Sequence, residues 1–443
     1  MLAKLILYSL LTQFNLHPLK KIIALKEIAC VVTVFCYIFS FYIIGPITSS
    51  IIIAVPFLYL YLHDKVYFHQ DIYSVRTLSF LTFIIFVGLA YSALHVTFDY
   101  SYVKTVFAQM IHLSMGIVIV TELRRRYHIT AFDIEKYIVY AFFVQSIIEI
   151  VASVTPPFAS ALLPFNRAYE LQTNEAGRRG LALAAGTGWS LGLAFGLLYI
   201  IYVKRYLLDG INVYKIITGV VLLAGTMFAG RTGFVGALFG VILFFLNANR
   251  GGIYKILIII KILLFIVVTC LLFYILFPAI SIHLVENVFP FAFEPFYKLF
   301  YNDEFSTGST DRLQEMWEVT ITPIEVLIGT GYFTDPLTGS YYKHIDIGVM
   351  RNLFYWGIVG YMVLILYQLF LLSPIKVISE DKKYKWNVTI YRLCLTTYLF
   401  LMEFKAMTIG FNKMAVSIVF LLGYFYYCEY QEQKHESFFS RRR

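Results

Sequence analysis

The chain has 443 residues, of which 59% are hydrophobic and only 14% are charged, with a net charge of +9. Soluble domains carry about 25% charged residues, and disordered chains combine low hydrophobicity with high charge. The composition therefore excludes a soluble globular enzyme and a disordered chain, and it predicts a protein that crosses a membrane many times. The basic excess is attributed to residues flanking apolar spans rather than to nucleic-acid binding.

A membrane-spanning helix needs about 20 mainly apolar residues. By this criterion we predict an all-α polytopic membrane protein with about twelve transmembrane helices in a single membrane domain, residues 1–443. The turn at Gly45 and Pro46 separates the first two spans. The predicted spans cover residues 26–45, 47–62, 77–97, 102–121, 134–154, 181–203, 212–229, 233–247, 254–278, 347–372, 388–405 and 409–428.

The distribution of Lys and Arg predicts the orientation of these spans. One side of the predicted membrane holds 25 of the 36 basic residues, including those near both termini, and the other side holds 11. Because basic residues are retained in the cytosol, both termini are predicted to be cytoplasmic. Two larger loops, residues 155–180 and 279–345, then lie on the outer side, and loops of that length are uncommon unless they are functional.

Arginines in these outer segments suggest an anion-binding pocket. Arg178 and Arg179 lie between glycines just before the sixth span, and Arg231 lies in Gly230-Arg231-Thr232-Gly233 between the seventh and eighth. Arginine binds phosphate oxygens through paired hydrogen bonds, and glycines let a backbone approach a ligand closely. Each arginine taken singly is equally well explained as a lipid-headgroup anchor. The glycine-flanked group favours a pocket for a polyanion held at the membrane surface.

The long outer loop is predicted to contain a short interfacial helix that lies across this pocket. Residues 309–317 have the pattern of a capped helix, with Asp311 as the cap and Gln314 completing a capping box. Arg312 lies in the same segment, as a weaker candidate for anion binding. Pro323 is predicted to break this helix, and residues 329–332 to form a turn.

The end of this loop carries an acid and a base into a membrane span. Asp346 and Arg351 are five residues apart, so in a regular helix they do not share a face. They are either an ion pair at an irregular helix start or two residues that line a cavity. His344 is either a general base or a solvated loop histidine.

Several chemical signatures are absent from the sequence. It contains no P-loop, no Asp-x-Asp motif and no zinc-type spacing of Cys and His, and we therefore predict no metal and no cofactor. Apart from Glu149, Glu403 and residues near span ends, the spans carry few charges. A proton- or ion-coupled transporter usually needs more.

Three motifs give the chain a family resemblance: residues 177–180 before a Gly-rich span, residues 230–233, and residues 328–332 followed by a pattern of acid, glycine and arginine. That last pattern is Asp346-x-Gly348-x-x-Arg351-x-x-Phe354-Tyr355-x-Gly357. With these motifs the chain resembles the Wzy-type O-antigen polymerases, part of a wider group that includes the O-antigen ligases.

The resemblance implies a GT-C-type glycosyltransferase of the bacterial inner membrane. Its donor would be a glycan on undecaprenyl pyrophosphate, its acceptor another lipid-linked repeat unit, and its active site periplasmic. Asp346 would be the general base with His344 in reserve, and the pyrophosphate would be bound by Arg178, Arg179, Arg231, Arg351 and, more weakly, Arg312. Membrane lipids and a co-polymerase that regulates chain length are the implied partners. The alternatives are a flippase or other transporter for lipid-linked oligosaccharides, and an O-antigen ligase.

Overall fold

A computed structural model describes residues 18–64, 72–166, 182–208, 210, 212–249, 251–283, 285–286, 289–302, 308–408 and 411–440. Across these residues the protein is almost entirely helical. In chain order its helices are α1 Pro18–Phe39, α2 Ser49–His63, α3 Ile72–Leu94, α4 Ser101–Tyr127, α5 Ala131–Val154, α6 Pro156–Leu162, α7 Trp189–Tyr202, α8 Val213–Ala229, α9 Thr232–Leu246, α10 Gly252–Leu276, α11 Pro278–His283, α12 Phe289–Ala292, α13 Glu294–Asn302, α14 Gly308–Trp317, α15 Pro323–Ile328, α16 Gly348–Leu372, α17 Lys382–Glu403 and α18 Lys413–Ser440.

Each of the twelve predicted spans overlaps one of the longer helices. Among the described residues, five helices are both long and apolar enough to cross a membrane: α3, α4, α5, α10 and α16. Three more, α2, α8 and α9, are apolar but shorter. A helix satisfies its own backbone hydrogen bonds in lipid, so these elements make the chain an all-α membrane protein. The number of crossings stays a prediction.

Three of the differences between the helix boundaries and the predicted spans have a clear structural basis. A two-stranded hairpin, β1 Tyr42–Ile44 and β2 Ile47–Thr48, surrounds the predicted turn, where Gly45 has φ +54°. The helix of the sixth predicted span, α7, begins at Trp189 rather than near residue 181. It continues as a π-helical turn, Val203–Leu207. The helix of the fourth predicted span, α4, extends beyond residue 121 to Tyr127. Its last turns are stabilised by the pair between Arg126 and Glu122 one turn earlier (2.7 Å).

The centre of the bundle is α7, in which every residue from Leu191 to Tyr202 is buried. A helix that is apolar on all sides belongs in the interior. It packs most closely on α9 through glycines, since a Cβ on Gly236 would overlap the backbone of Gly196. Small residues permit such close approach of membrane helices. This contact holds the α8–α9 connection, which carries Arg231, over the start of α7.

Two motifs that are distant in sequence form one backbone crossing. Gly357 interrupts α16 with φ +62°, so carbonyls in the preceding turn lose their helical partners. The Phe354 carbonyl accepts instead from the Thr330 amide (2.5 Å) and hydroxyl (2.9 Å). Gly329, with φ +67°, passes so close that a Cβ on it would lie 2.6 Å from the Gly357 nitrogen. Gly329 and Gly357 must therefore both lack a side chain, because a Cβ on either one would overlap the backbone of the other segment.

The segment that follows this crossing is anchored to the connection between α3 and α4. One carboxylate oxygen of Asp99 accepts from the amides of Phe333 (2.7 Å) and Thr334 (2.6 Å). The Thr97 hydroxyl donates to the Gly331 carbonyl (3.0 Å). These bonds fix residues 330–334 beside the first turns of α16.

The long loop contains five short helices in its described part, α11 to α15. The short helix expected near residues 309–317 corresponds to α14, and its Leu313 and Met316 pack on a small buried cluster at the start of α16. Its position at a membrane interface stays a prediction. The predicted capping box is wrong, because α14 begins at Gly308 and Asp311 lies inside its first turn. Pro323 begins α15 instead of breaking α14.

Candidate functional site

One end of the bundle brings together residues from four separate segments, and we call this region the mouth. It is formed by Trp189, Arg231, Thr232, Asp346, Arg351 and Lys405. The Lys405 ammonium lies 3.5 Å from the Thr232 hydroxyl and 5.7 Å from the centre of the Trp189 ring. Its charge also acts on the Asp346 carboxylate. Lys405 therefore lies beside the α8–α9 connection, and the start of α16 packs against the next residue, Ala406, since a Cβ on Gly348 would lie 2.8 Å from its backbone.

Arg351, in the first turn of α16, is the most deeply buried cation of the mouth, with 7% exposure. Its guanidinium lies between the rings of Phe333 (4.0 Å) and Tyr341 (3.7 Å). Nη1 is 3.7 Å from the Asp346 carboxylate, whereas Nε and Nη2 are buried with no hydrogen-bond partner among the described residues. Buried donors without partners are unfavourable, so this side chain is suited to an anionic ligand that would complete its hydrogen bonds.

Asp346 lies two residues before α16, on non-helical backbone, and its side chain is 49% exposed. Burial by the surrounding protein raises the pKa of its carboxyl group, and the charges of Arg351 and Lys405 partly offset this effect. Of the two relations predicted for Asp346 and Arg351, the distance favours an ion pair at an irregular helix start. The half-open carboxylate can still contact a substrate from solvent.

His344 is exposed and does not join Asp346. Its Nδ1 lies 3.1 Å from the Ser340 hydroxyl, and its backbone is in the left-handed region with φ +57°. Among the described residues no hydrogen bond connects it to Asp346 or Arg351. The arrangement agrees with the interpretation of His344 as a solvated loop histidine.

Arg231, at the start of α9, is paired with a carboxylate from the long loop. Its guanidinium forms a charged hydrogen bond with Glu294 of α13, which also accepts from the Gly308 amide (3.1 Å). Burial alone would raise the pKa of Glu294, but these bonds and the nearby charges lower it. An arginine at membrane depth is costly unless it has a partner, and Glu294 supplies one.

The glycines beside Arg231 serve packing rather than ligand access, which corrects the interpretation from sequence. A Cβ on Gly230 would lie 3.1 Å from the Gly188 carbonyl oxygen. A Cβ on Gly233 would lie 3.2 Å from the Cβ of Phe195. The space beside each of these two glycines is therefore filled by neighbouring protein.

The other predicted anion-binding arginines are not part of the mouth as described. Arg312 is exposed on α14 and forms no ion pair with another described residue. Arg178 and Arg179 lie outside the described residues, with most of the Arg-rich loop. Of the five predicted arginines, the structure places Arg351 and Arg231 at the mouth.

Sequence reasoning did not identify Lys405 or the two aromatic residues that contact Arg351, Phe333 and Tyr341. In the sequence Lys405 is only one of the 11 basic residues on the predicted outer side. Its signal was a cation two positions after Glu403, at the end of a span where an unpartnered charge is costly. Tyr341 and Phe333 carried no such signal, because aromatic residues are frequent throughout this chain.

No group of three or more His, Cys, Asp or Glu side chains within the described ranges could hold a metal ion. The mouth instead offers guanidinium and ammonium donors around one carboxylate, a set suited to a phosphate group beside a proton acceptor. Comparisons of the chain with protein-family models, with curated proteins and with solved structures find no match.

Proposed function

We propose that this chain is a membrane glycosyltransferase that polymerises oligosaccharide repeat units carried on undecaprenyl pyrophosphate. The proposal places twelve GT-C-like spans in the bacterial inner membrane, both termini in the cytosol and the mouth at the periplasmic face. The observation that carries it is the convergence of one half-exposed carboxylate, Asp346, with the buried donors of Arg351 and the ammonium of Lys405. The sequence motifs around Arg231 and Asp346 support the same substrate class.

In the proposed reaction Asp346 accepts the proton of the acceptor sugar hydroxyl. The hydroxyl oxygen forms a bond to the anomeric carbon of the donor, and the bond from that carbon to the phosphate oxygen breaks. Undecaprenyl pyrophosphate leaves with the bonding electrons and gains negative charge. The proton on Asp346 passes to solvent when the product moves away. A general base and an activated leaving group are the two requirements of this displacement.

The cations of the mouth are proposed to stabilise the leaving pyrophosphate. Preorganised donors in a partly dry site stabilise developing charge without having to reorient. Arg351 would contribute Nε and Nη2, and Lys405 a second positive charge. Arg231 would exchange Glu294 for a phosphate oxygen. Arg178 and Arg179 are proposed to add further contacts, with Arg312 in a weaker role, and a chain-length co-polymerase is the proposed partner.

The decisive experiment is a reaction between the purified protein and lipid-linked repeat units, with product length read on a gel. The wild type should give a ladder of polymer. Asp346→Asn should give none while unfolding at a temperature no lower than that of the wild type. Asp311→Asn, which changes an exposed carboxylate of the same loop, is the matched control and should retain the ladder. A normal ladder from Asp346→Asn would refute the proposed base.

The bidentate role of the arginines is tested separately by conservative substitution. Arg351→Lys and Arg231→Lys each retain a charge but lose the planar fork. Each change should lower the polymerisation rate, and the loss of one such donor costs on the order of 10²–10³ in rate. Full-length polymer at the wild-type rate from both variants would contradict pyrophosphate binding by these side chains.

Deletion of the gene in its host separates the alternatives. Loss of a polymerase leaves single repeat units displayed on the cell surface. Loss of a flippase retains the units on the cytosolic leaflet, and loss of a ligase leaves finished polymer on its lipid carrier. Only the first phenotype agrees with the proposal.

A further inference from the structure

The buried carboxylate of Glu403, at the end of α17, lies directly behind the mouth. Its side chain is fully buried. One oxygen accepts from the side-chain amide of Asn352 (2.8 Å). The other accepts from the Thr408 amide (2.7 Å) and from the Thr408 hydroxyl. A buried charge requires such compensation, and here the donors come from two different segments.

Each of these two segments carries one cation of the mouth. Asn352 directly follows Arg351 in the first turn of α16. Thr408 ends the turn that leaves α17 and contains Lys405. The carboxylate of Glu403 therefore joins the backbone that presents Arg351 to the backbone that presents Lys405.

The close packing at this junction leaves little freedom for either segment. A Cβ on Gly348 would lie 2.6 Å from an Oε1 oxygen of Glu403 and 2.8 Å from the backbone of Ala406. This explains why the residue two positions after Asp346 is a glycine. The start of α16 can rest against Glu403 only if position 348 has no side chain.

We propose that Glu403 is a positioning residue that holds the segments of Arg351 and Lys405 at fixed places in the mouth. The consequence for catalysis rests on the proposed function. The link that Glu403 forms between the two segments, which we call the tie, is a property of the chain itself. Displacing a cation by 1 Å from a developing charge can cost on the order of 10²-fold in rate. A single carboxylate that fixes both cations therefore acts on the reaction without touching the substrate.

The chemistry of the contact provides a conservative variant. In Glu403→Gln the remaining carbonyl oxygen can accept from Thr408, and the new amide can donate to the Asn352 Oδ1 atom once that side chain flips. This oxygen has no hydrogen-bond partner among the described residues, so it is free to accept. Glu403→Gln should therefore retain the tie, and Glu403→Ala should remove it.

The tie is tested by hydrogen exchange of the full-length protein in nanodiscs, followed by mass spectrometry. Glu403→Ala should raise exchange in residues 345–352 and 404–408 together, and Glu403→Gln should restore protection in both. Glu149→Ala is the matched control, since Glu149 is also a buried glutamate within a helix, bonded to Gln145 (3.2 Å). It should leave both segments protected. Faster exchange in only one segment, or the same pattern in Glu149→Ala, would overturn the inference.

The functional consequence is tested by kinetics with lipid-linked repeat units and by titration with inorganic pyrophosphate. Glu403→Ala should lower kcat on the order of 10- to 100-fold and change KM much less, and Glu403→Gln should recover most of the loss. Equal kcat for Glu403→Ala and wild type would refute the positioning role. If the wild type neither binds pyrophosphate nor polymerises, the proposed function fails, while the exchange pattern still decides whether Glu403 joins the segments.

Discussion

At the scale of single residues, one carboxyl group of the mouth and one of the long loop have pKa values shifted in opposite directions. Burial raises the pKa of Asp346 above its ordinary 3.8. Burial also acts on Glu325, but its bonds to Lys343 (2.9 Å) and Thr322 (2.8 Å) prevail and lower its pKa below 4.5. A raised carboxyl pKa means that ionisation disfavours the folded state, and a lowered one means that it favours it.

These shifts predict opposite effects of neutralisation on stability. Asp346→Asn should raise the unfolding temperature at neutral pH, and this gain should vanish as the pH falls below 3.8, the ordinary pKa of the group. Glu325→Gln should lower it at neutral pH, and this loss should shrink as the pH falls from 4.5 through the lowered folded pKa. Thermal unfolding of both variants and wild type in detergent across this range is the measurement. Effects of the same sign would contradict the assigned environments.

The raised pKa of Asp346 also predicts how activity depends on pH. A general base works only when ionised, so the rate should rise with pH through a value above 3.8. The charge of Arg351 lowers this pKa, so in Arg351→Met the acidic limb of the residual activity should move to higher pH. Rates of wild type and Arg351→Met against pH provide the comparison. An acidic limb at unchanged pH would show that the charge of Arg351 does not lower the pKa of Asp346.

At the scale of elements, the crossing of residues 329–331 with the kink of α16 determines where the mouth lies. The kink at Gly357 and the turn at Gly329 each leave polar backbone groups that the other segment satisfies. Gly329 and Gly357 are buried, so water does not replace these bonds. The crossing therefore fixes the start of α16, which carries Asp346 and Arg351.

Three glycines with nearly equal φ values allow this crossing to be tested. Gly339 has φ +69° with no atom within 4 Å of an added Cβ, whereas Gly329 and Gly357 have similar φ values but face backbone atoms. Gly339→Ala should lower the free energy of unfolding by only roughly 1–2 kcal/mol, the cost of a side chain at positive φ. Gly329→Ala and Gly357→Ala should each lower the free energy of unfolding by about 1–3 kcal/mol more, because an added Cβ overlaps backbone atoms and because a ψ of −176° places both residues in a region that is essentially limited to glycine. Equal unfolding temperatures for all three variants would show that the crossing is not tightly packed.

At the scale of the whole molecule, the orientation of the bundle is the property that the proposed function most requires. Leu337, in the long loop, is 93% exposed, and Lys382 is exposed at the start of α17. They flank α16, so a single crossing by this helix would put them on opposite sides of the membrane. The proposal assigns Leu337 to the periplasm and Lys382 to the cytosol.

Single cysteines at these two positions measure the orientation. In a background without the five native cysteines, all of which are free thiols, Leu337→Cys should react in intact cells with a thiol reagent that cannot cross the inner membrane. Lys382→Cys should react only after the cells are broken. Labelling of Lys382→Cys in intact cells, with Leu337→Cys protected, would reverse the orientation and move the mouth to the cytosol.

The sequence by itself determined the class of structure, because hydropathy decides whether a segment can lie in lipid and a helix alone satisfies its backbone there. It also indicated Arg231 and Arg351 as costly charges near the ends of spans, and the turn at Gly45 and Pro46. Helix boundaries such as that of α7 were less accurate, since apolar residues continue beyond the point where the backbone bends.

Only the tertiary structure decided which of these residues meet. Helices that are apolar on most sides carry little periodic information about their neighbours, so nothing in the local pattern associates Lys405 with Thr232 or Glu403 with Asn352. The same is true of Gly329 and Gly357, whose conformations are explained only by the contact between them. The mouth is a product of helix packing, and its chemistry depends on charges that the chain brings together from distant positions.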